Sequence, residues 1–340
     1  MKETDDLSKI YKTEDTLDLD IYFQNTTLLG NICYVSKGMV LNADEKIAKG
    51  EFKKSDLISD VKNDINSKAY IEGKDLRKYK ITRTRYLEWN TDRVPSKVSR
   101  PTFPELYSLP KLIRGKTNQG IYDDSGLITN DSCYNLVLYN SLREINNKSI
   151  SNSIKKWSDK SRKELEDISF NFDLKYIQSI MNSNLCKYYL NSIRTHRIEY
   201  YTSPDELKLM PIKNISLNEQ KRFSDYVDEM INLNNELLGE TSSFKNWLLF
   251  NFNIDKLSTK IENYYELDEN TFLEEINKKI KTTSRTKQDE IRKEFNNSSE
   301  KVKQLKKDID MLDKLINEEI YKLYEISEED IEIINNSLNN

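Results

Sequence analysis

Residues 99–138, SRPTFPELYSLPKLIRGKTNQGIYDDSGLITNDSCYNLVL, set short apolar runs among basic, amide and hydroxyl side chains. KLIRGK, GIYDDSGLIT and SCYNLVLY read as three strands, with Asp124, Ser125 and Gly126 marking a hairpin turn. Pro95, Pro101, Pro104 and Pro110 punctuate the approach as loop and short edge strands, because proline cannot donate to a ladder. Working outward, LGNICYVSKGMVL (29–41) predicts a strand, a turn at Gly38 and a second strand. AYIEGKDLRKYKI (69–81) predicts a strand, a turn and a basic exit into TRTRYLEW. Residues 42–68 read as polar and loosely helical, and the Asn/Ser/Lys-rich segment 140–170 reads as an insertion.

Past residue 170 the apolar period changes from two to about 3.6. In FDLKYIQSIMNSNLCKYYLNSI (172–193), Leu174, Ile177, Ile180, Met181, Leu185, Tyr188 and Tyr189 predict one helix with a buried face. A linker, RTHRIEYYTSPDELKLMPI, follows, and beyond Pro211 the chain has one glycine, Gly239, and no proline. Phe223, Val227, Met230 and Leu237 trace a helical stripe interrupted by Asn234. Val302, Leu305, Ile309, Leu312, Ile316 and Leu323 follow the spacing of a heptad seam. Such stripes pack against each other in a hairpin or against a partner's helices. The expected fold is α+β: an N-terminal arm (1–26), a β-rich domain (27–212) and a coiled-coil-like helical docking domain (213–340).

Composition sets limits on function. The 340 residues are 32% charged with mean hydropathy -0.77 and net charge -4, so any basic surface must be local. It is local: between Tyr70 and Gly120 stand twelve Lys/Arg against five Asp/Glu, while acid gathers in the tail from Glu325 to Glu332. That asymmetry points to a polyanion partner for one region. Interleaved Tyr70, Tyr79, Tyr86, Trp89, Phe103, Tyr107 and Tyr122 mostly suit a β-rich core, with some left to line a nucleic-acid surface. Cys33, Cys133 and Cys186 stand too far apart for a zinc motif or a disulfide framework, and no apolar run approaches a membrane span or a secretory signal. The expectation is a cytoplasmic protein.

Chemistry on a nucleic acid is not in view. The eight glycines are isolated, and no GxGxxG, GxxxxGK or Asn/Asp-Pro-Pro-Tyr occurs, so loops cradling a dinucleotide, a nucleotide phosphate or a methyl donor are missing. PDELK (204–208) resembles a nuclease motif only superficially, since Asp205 and Glu206 are adjacent and do not converge on one metal. His196, the single histidine, has no nucleophile at a useful spacing. Arg114, Lys116, Asn118 and Gln119 are more telling, because Arg and Lys pair with guanine acceptors while Asn and Gln pair bidentately with adenine.

The order GKDLRKY (73–79), RPTFPELYSLPKLIRG (100–115), TNDSCYNL (129–136), DLKYIQSIMNSNLCKYYL (173–190) and ELKLMPI (206–212) resembles the TaqI-like C-terminal specificity domain. That module is the target recognition domain of adenine-specific DNA methyltransferases in type IIG and related restriction-modification systems. The tail INEEIYKLYEISEEDIEII (316–334) is similar to the ending of those proteins, with Glu325 where they carry a glycine in an "LYGL"-like turn. The resemblance implies a DNA specificity subunit for restriction-modification or related phage defence. It would not be an enzyme by itself, and S-adenosylmethionine would sit on a methyltransferase subunit acting in trans. The other readings are a specificity-domain mimic that inhibits such a methyltransferase, and a C-terminal fragment of a single-chain type IIG enzyme.

On this expectation Lys74, Arg77, Lys78, Arg83 and Arg85 hold phosphates of double-stranded DNA, with Arg100, Lys111 and Arg197 nearby. Arg114, Lys116, Asn118, Gln119, Asn130, Arg194 and His196 reach base edges. The heptad seam docks the methyltransferase subunit or makes a homodimer. No metal is expected.

Overall fold

The computed structural model describes residues 17–100, 103–116, 120–193, 201–280 and 284–339. Helices make up 54% of the chain and strands 17%, with the strands before residue 214 and the long helices after it, which makes the fold α+β. Two compact units result: Met1–Val227 together with Ile316–Asn340, and Asp228–Leu315.

The first unit is built on two four-stranded sheets. One runs Gly120–Asp123, Lys111–Gly115, Cys133–Leu138, Cys33–Lys37, antiparallel throughout, with Leu136 facing Leu112 on one side and Val35 on the other. The other runs Ile128–Thr129, Asn66–Ile71, Arg85–Glu88, Ile58–Ser59. Its first pair is parallel. Gly38 joins the layers: a Cβ there would meet the carbonyl oxygens of Thr129 and Asn130 at 2.3 and 2.4 Å, so no larger residue fits. Tyr34, Met39, Leu57, Tyr70, Leu87, Phe103 and Val137 fill the main core.

Several expectations need correcting. Asp124-Ser125-Gly126 does not close a hairpin: Gly120–Asp123 pairs with Lys111–Gly115, whereas Ile128–Thr129 crosses to the other sheet beside Asn66–Ile71. Asp123 makes the switch by accepting from the amides of Ser125 (3.0 Å) and Leu127 (3.0 Å). Residues 140–170 are not an insertion, because the helices Lys148–Trp157 and Arg162–Ser169 drive Ile150, Ile154 and Leu165 into the core. Residues 172–193 form two helices, Leu174–Met181 and Asn184–Ser192. Ser183 starts the second as its N-cap, accepting from the amide of Cys186.

The boundary between 212 and 213 also shifts, since the residues from Ile316 onward belong to the strand-bearing unit. The Tyr324 phenol donates to the Pro211 carbonyl (2.8 Å) and accepts from the Lys213 amide (3.1 Å), while Asn317 Oδ1 accepts from the Asn184 amide (2.7 Å). Of the expected N-terminal arm, residues 1–16 lie outside the described residues, and Thr26–Leu28 pairs with Pro211–Lys213. Glu325 takes φ 59°, a left-handed turn made without the glycine that would make it cheap.

The second unit packs parts of the helices Leu217–Phe252 and Arg285–Tyr324 with the shorter helices Thr259–Glu262 and Glu269–Asn277. Its core is aromatic: Phe244 lies 4.3 Å from Tyr264, and Phe272 stacks on Phe295 at 4.2 Å. Val302 and Leu305 are buried in this core, with Ile309 packed against it, and Leu312 is buried too. Ile316 is buried and Leu323 half-buried in the first unit. The expected docking seam is therefore largely spent inside the chain. Apolar side chains repeating at heptad spacing satisfy an internal core as readily as a partner.

Candidate nucleic-acid interface

Basic side chains reach the surface on a small hairpin, Leu76–Arg77 paired with Lys80–Ile81. Lys78 and Tyr79 make its turn, Tyr79 at φ 61°, with its aromatic body buried. Exposed Arg77 folds its guanidinium back onto the carbonyls of Lys74 (2.9 Å) and Leu76 (2.7 Å). Lys78 and Lys80 are half-buried at the same tip. The Tyr79 amide donates to the Gly120 carbonyl (3.3 Å), which sets the hairpin against the end of the loop 116–120.

That loop is fixed at both ends. The Gly120 amide donates to Asn182 Oδ1 (3.1 Å), and its carbonyl accepts from Asn182 Nδ2 (3.0 Å) and Gln178 Nε2 (3.1 Å). A Cβ on Gly120 would lie 2.7 Å from Met181 Cε and 3.3 Å from Asn182 Oδ1, so a larger residue there would have to displace the methionine tip. At the other end the Lys116 carbonyl accepts from the Thr202 amide (3.2 Å), and the Lys116 ammonium sits 5.4 Å from the Tyr201 ring centroid. Three segments far apart in sequence thus converge: the basic hairpin, the loop 116–120 and the chain at Tyr201–Thr202. Asn118, Gln119, Arg194, His196 and Arg197 lie outside the described residues.

Behind the hairpin lies a buried ionic network. Arg85 Nη2 reaches Asp75 Oδ2 (2.6 Å) and Glu72 Oε2 (3.2 Å), with its guanidinium 5.3 Å from the Tyr70 ring centroid. Glu72 also accepts from the Tyr70 phenol (2.8 Å) and pairs with Lys74 (3.0 Å) and Lys54. Burial pushes the Glu72 carboxyl up, but its bonds to Lys54, Lys74, Tyr70 and Arg85 outweigh this and hold it down at about 2. Arg85 is therefore a buried structural cation and not a phosphate ligand. Lys74 keeps its head largely in water. Arg83 forms an exposed pair with Asp60 (2.6 Å), which water screens and a phosphate can compete with. Arg100 is exposed at φ 55°.

Lys111 and Arg114 are corrected outright. Every residue of Lys111–Gly115 is buried, because the strand has neighbours on both sides and the helix Leu174–Met181 against it. The Lys111 ammonium donates to the Tyr107 carbonyl (2.6 Å) and to Asp123, and burial depresses its basicity. Arg114 is fully enclosed beside Cys186 and Tyr134, and burial lowers its pKa as well. Neither reaches a base edge. Asn130 is also buried, shaping a turn by accepting from the Ser132 amide (3.3 Å). The cysteines are buried free thiols whose ionisation burial opposes, Cys133 being pushed up to about 12.

Sequence reading missed Gln178 and Asn182. Their signal was two amides four residues apart on an otherwise apolar helix face, where a buried amide needs a partner. Among the described residues, no group of three or more His, Cys, Asp or Glu is placed to hold a metal ion, and no helix is long and apolar enough to cross a membrane. Asp205, from the PDELK string, bonds Lys156 (3.0 Å) and the Trp157 indole (2.8 Å).

A domain of unknown function, DUF8810, matches residues 216–320. The match covers the long helices and leaves the strand-bearing residues before 216 unassigned. No curated protein matches the chain.

Proposed function

We propose that this chain is the DNA-sequence-recognition component of an adenine-specific methyltransferase system of the restriction-modification or phage-defence type. The observation that supports it best is the convergence of the Arg77–Lys80 hairpin, the loop 116–120 and the Tyr201–Thr202 end of a third segment. Cations on converging segments suit backbone positioning, and the amides the sequence carries at Asn118 and Gln119 suit base reading. The order of sequence blocks similar to TaqI-like specificity domains supports the same reading.

On this proposal Arg77, Lys78, Lys80 and Lys74 meet phosphates, with Arg83 and Arg100 as further contacts. Lys116 and the loop and segment that carry Asn118, Gln119, Arg194, His196 and Arg197 address the bases. The methyl donor S-adenosylmethionine and the flipped adenine belong to a methyltransferase subunit, and the protein works in the cytoplasm. Selection of bound duplexes from a random-sequence pool by the full chain tests the reading. Enrichment of one adenine-containing motif is expected, and recovery of an unbiased pool would overturn it.

A further inference from the structure

The second unit carries more acid than base in sequence, eighteen Asp/Glu against fifteen Lys/Arg over residues 228–315. One groove on it reverses that balance. Of about 470 Å³, it is lined by Lys303, Lys306, Lys307 and Lys314 against Glu266 and Asp310. The lysines share one face of the helix Arg285–Tyr324, at steps of three, four and seven residues, with exposed Met311 between them.

Tyr265 forms part of the groove wall. The Lys306 ammonium stands 4.7 Å from its ring centroid and 3.9 Å from Glu266, so Lys306 is held inward. Lys303 and Lys307 form no ion pair with the described residues and keep their heads in water. From Lys303 to Lys314 the helix rises about 16 Å at 1.5 Å per residue. Cations spread over that length do not close on one small anion. They match a rod of charge instead: one DNA strand presents a phosphate about every 3.4 Å along the axis, roughly five over the same span.

We propose that this lysine groove is a second, sequence-independent contact for the phosphate backbone of duplex DNA, carried by the helical unit. The proposal rests on the DNA-recognition reading and deepens it. Lysine is the fitting residue, since its point charge on a flexible stem neutralises phosphate without demanding a particular base. The groove offers no side-chain amide or guanidinium for bidentate reading. Its contribution is affinity.

Lysine acetylation of the full chain, read by mass spectrometry with and without a random-sequence duplex, tests this directly. Slower labelling of Lys303, Lys307 and Lys314 in the presence of duplex is expected. In K303Q/K307Q/K314Q the slope of log K against log salt should fall by about 2–3, at 0.9 per phosphate. If duplex protects Lys78 and Lys80 while the groove lysines label unchanged, the groove proposal fails and the recognition reading stands. Protection of the groove alone supports the groove and overturns the hairpin assignment. If poly-glutamate protects the groove and duplex does not, the partner is an acidic polypeptide and the proposal is overturned. Duplex that protects neither set overturns both.

Discussion

The strand Lys111–Gly115 and the hairpin Leu76–Ile81 both look basic in sequence, yet one encloses its cations and the other displays them. Lys111 and Arg114 sit in the middle of a four-stranded sheet with a helix against it, while Arg77, Lys78 and Lys80 sit on a two-stranded projection. Charge density along a chain is therefore a poor guide to an interface until the strand's neighbours are known. A central strand must compensate its charges internally, as Asp123 does for Lys111. In the two-stranded hairpin Arg77 is exposed, and Lys78 and Lys80 are half-buried.

Substitutions on either side can break or sharpen this contrast. Lys111→Met leaves Asp123 buried without its cation and should cost about 3–5 kcal/mol in denaturant unfolding, with DNA binding per folded molecule unchanged. A loss below 1 kcal/mol would mean the pair is not structural.

Acid titration probes the network behind the hairpin. The Glu72 pKa is lowered from 4.5 to about 2 on folding, so its stabilisation is complete above about pH 4.5 and is lost as pH falls through about 2. That loss amounts to at most roughly 3 kcal/mol. Glu72→Gln should flatten this acid limb of the stability curve. An unchanged limb would remove Glu72 as its source.

Asn182→Ala deletes both hydrogen bonds to Gly120 and should cost about 1–3 kcal/mol. It should also blur the motif recovered by duplex selection, although Asn182 is itself buried. Retention of a sharp motif would show that the loop 116–120 is not the reading element. A smaller effect of opposite sign is expected at the C-terminal turn. Glu325→Gly relieves a left-handed residue and should raise stability by about 1 kcal/mol, read as a higher denaturation midpoint.

Much of the architecture was legible from pattern alone. Runs such as CYVSK and CYNLVL mark strands because β-branched and aromatic side chains fit a buried pleated surface, and the switch to helical spacing past residue 170 is as clear. Tertiary choices were not legible. The Asp-Ser-Gly turn serves a hairpin and a crossing between sheets equally well, and the heptad seam reads identically whether its partner is the same chain or another. Of the cations expected to contact DNA, Lys74, Arg77, Lys78 and Arg83 are exposed or half-buried, whereas Arg85, Lys111 and Arg114 are buried. The partners of Arg85 (Asp75 and Glu72) and of Lys111 (Asp123), and the Cys186 and Tyr134 that surround Arg114, lie at separations that no local spacing rule covers.

The most direct measurement is the salt dependence of duplex binding by the full chain and by R77Q/K78Q/K80Q. If the hairpin holds the DNA backbone, the slope of log K against log salt falls by about 2–3 in the folded variant. An unchanged slope in a folded variant would contradict the account.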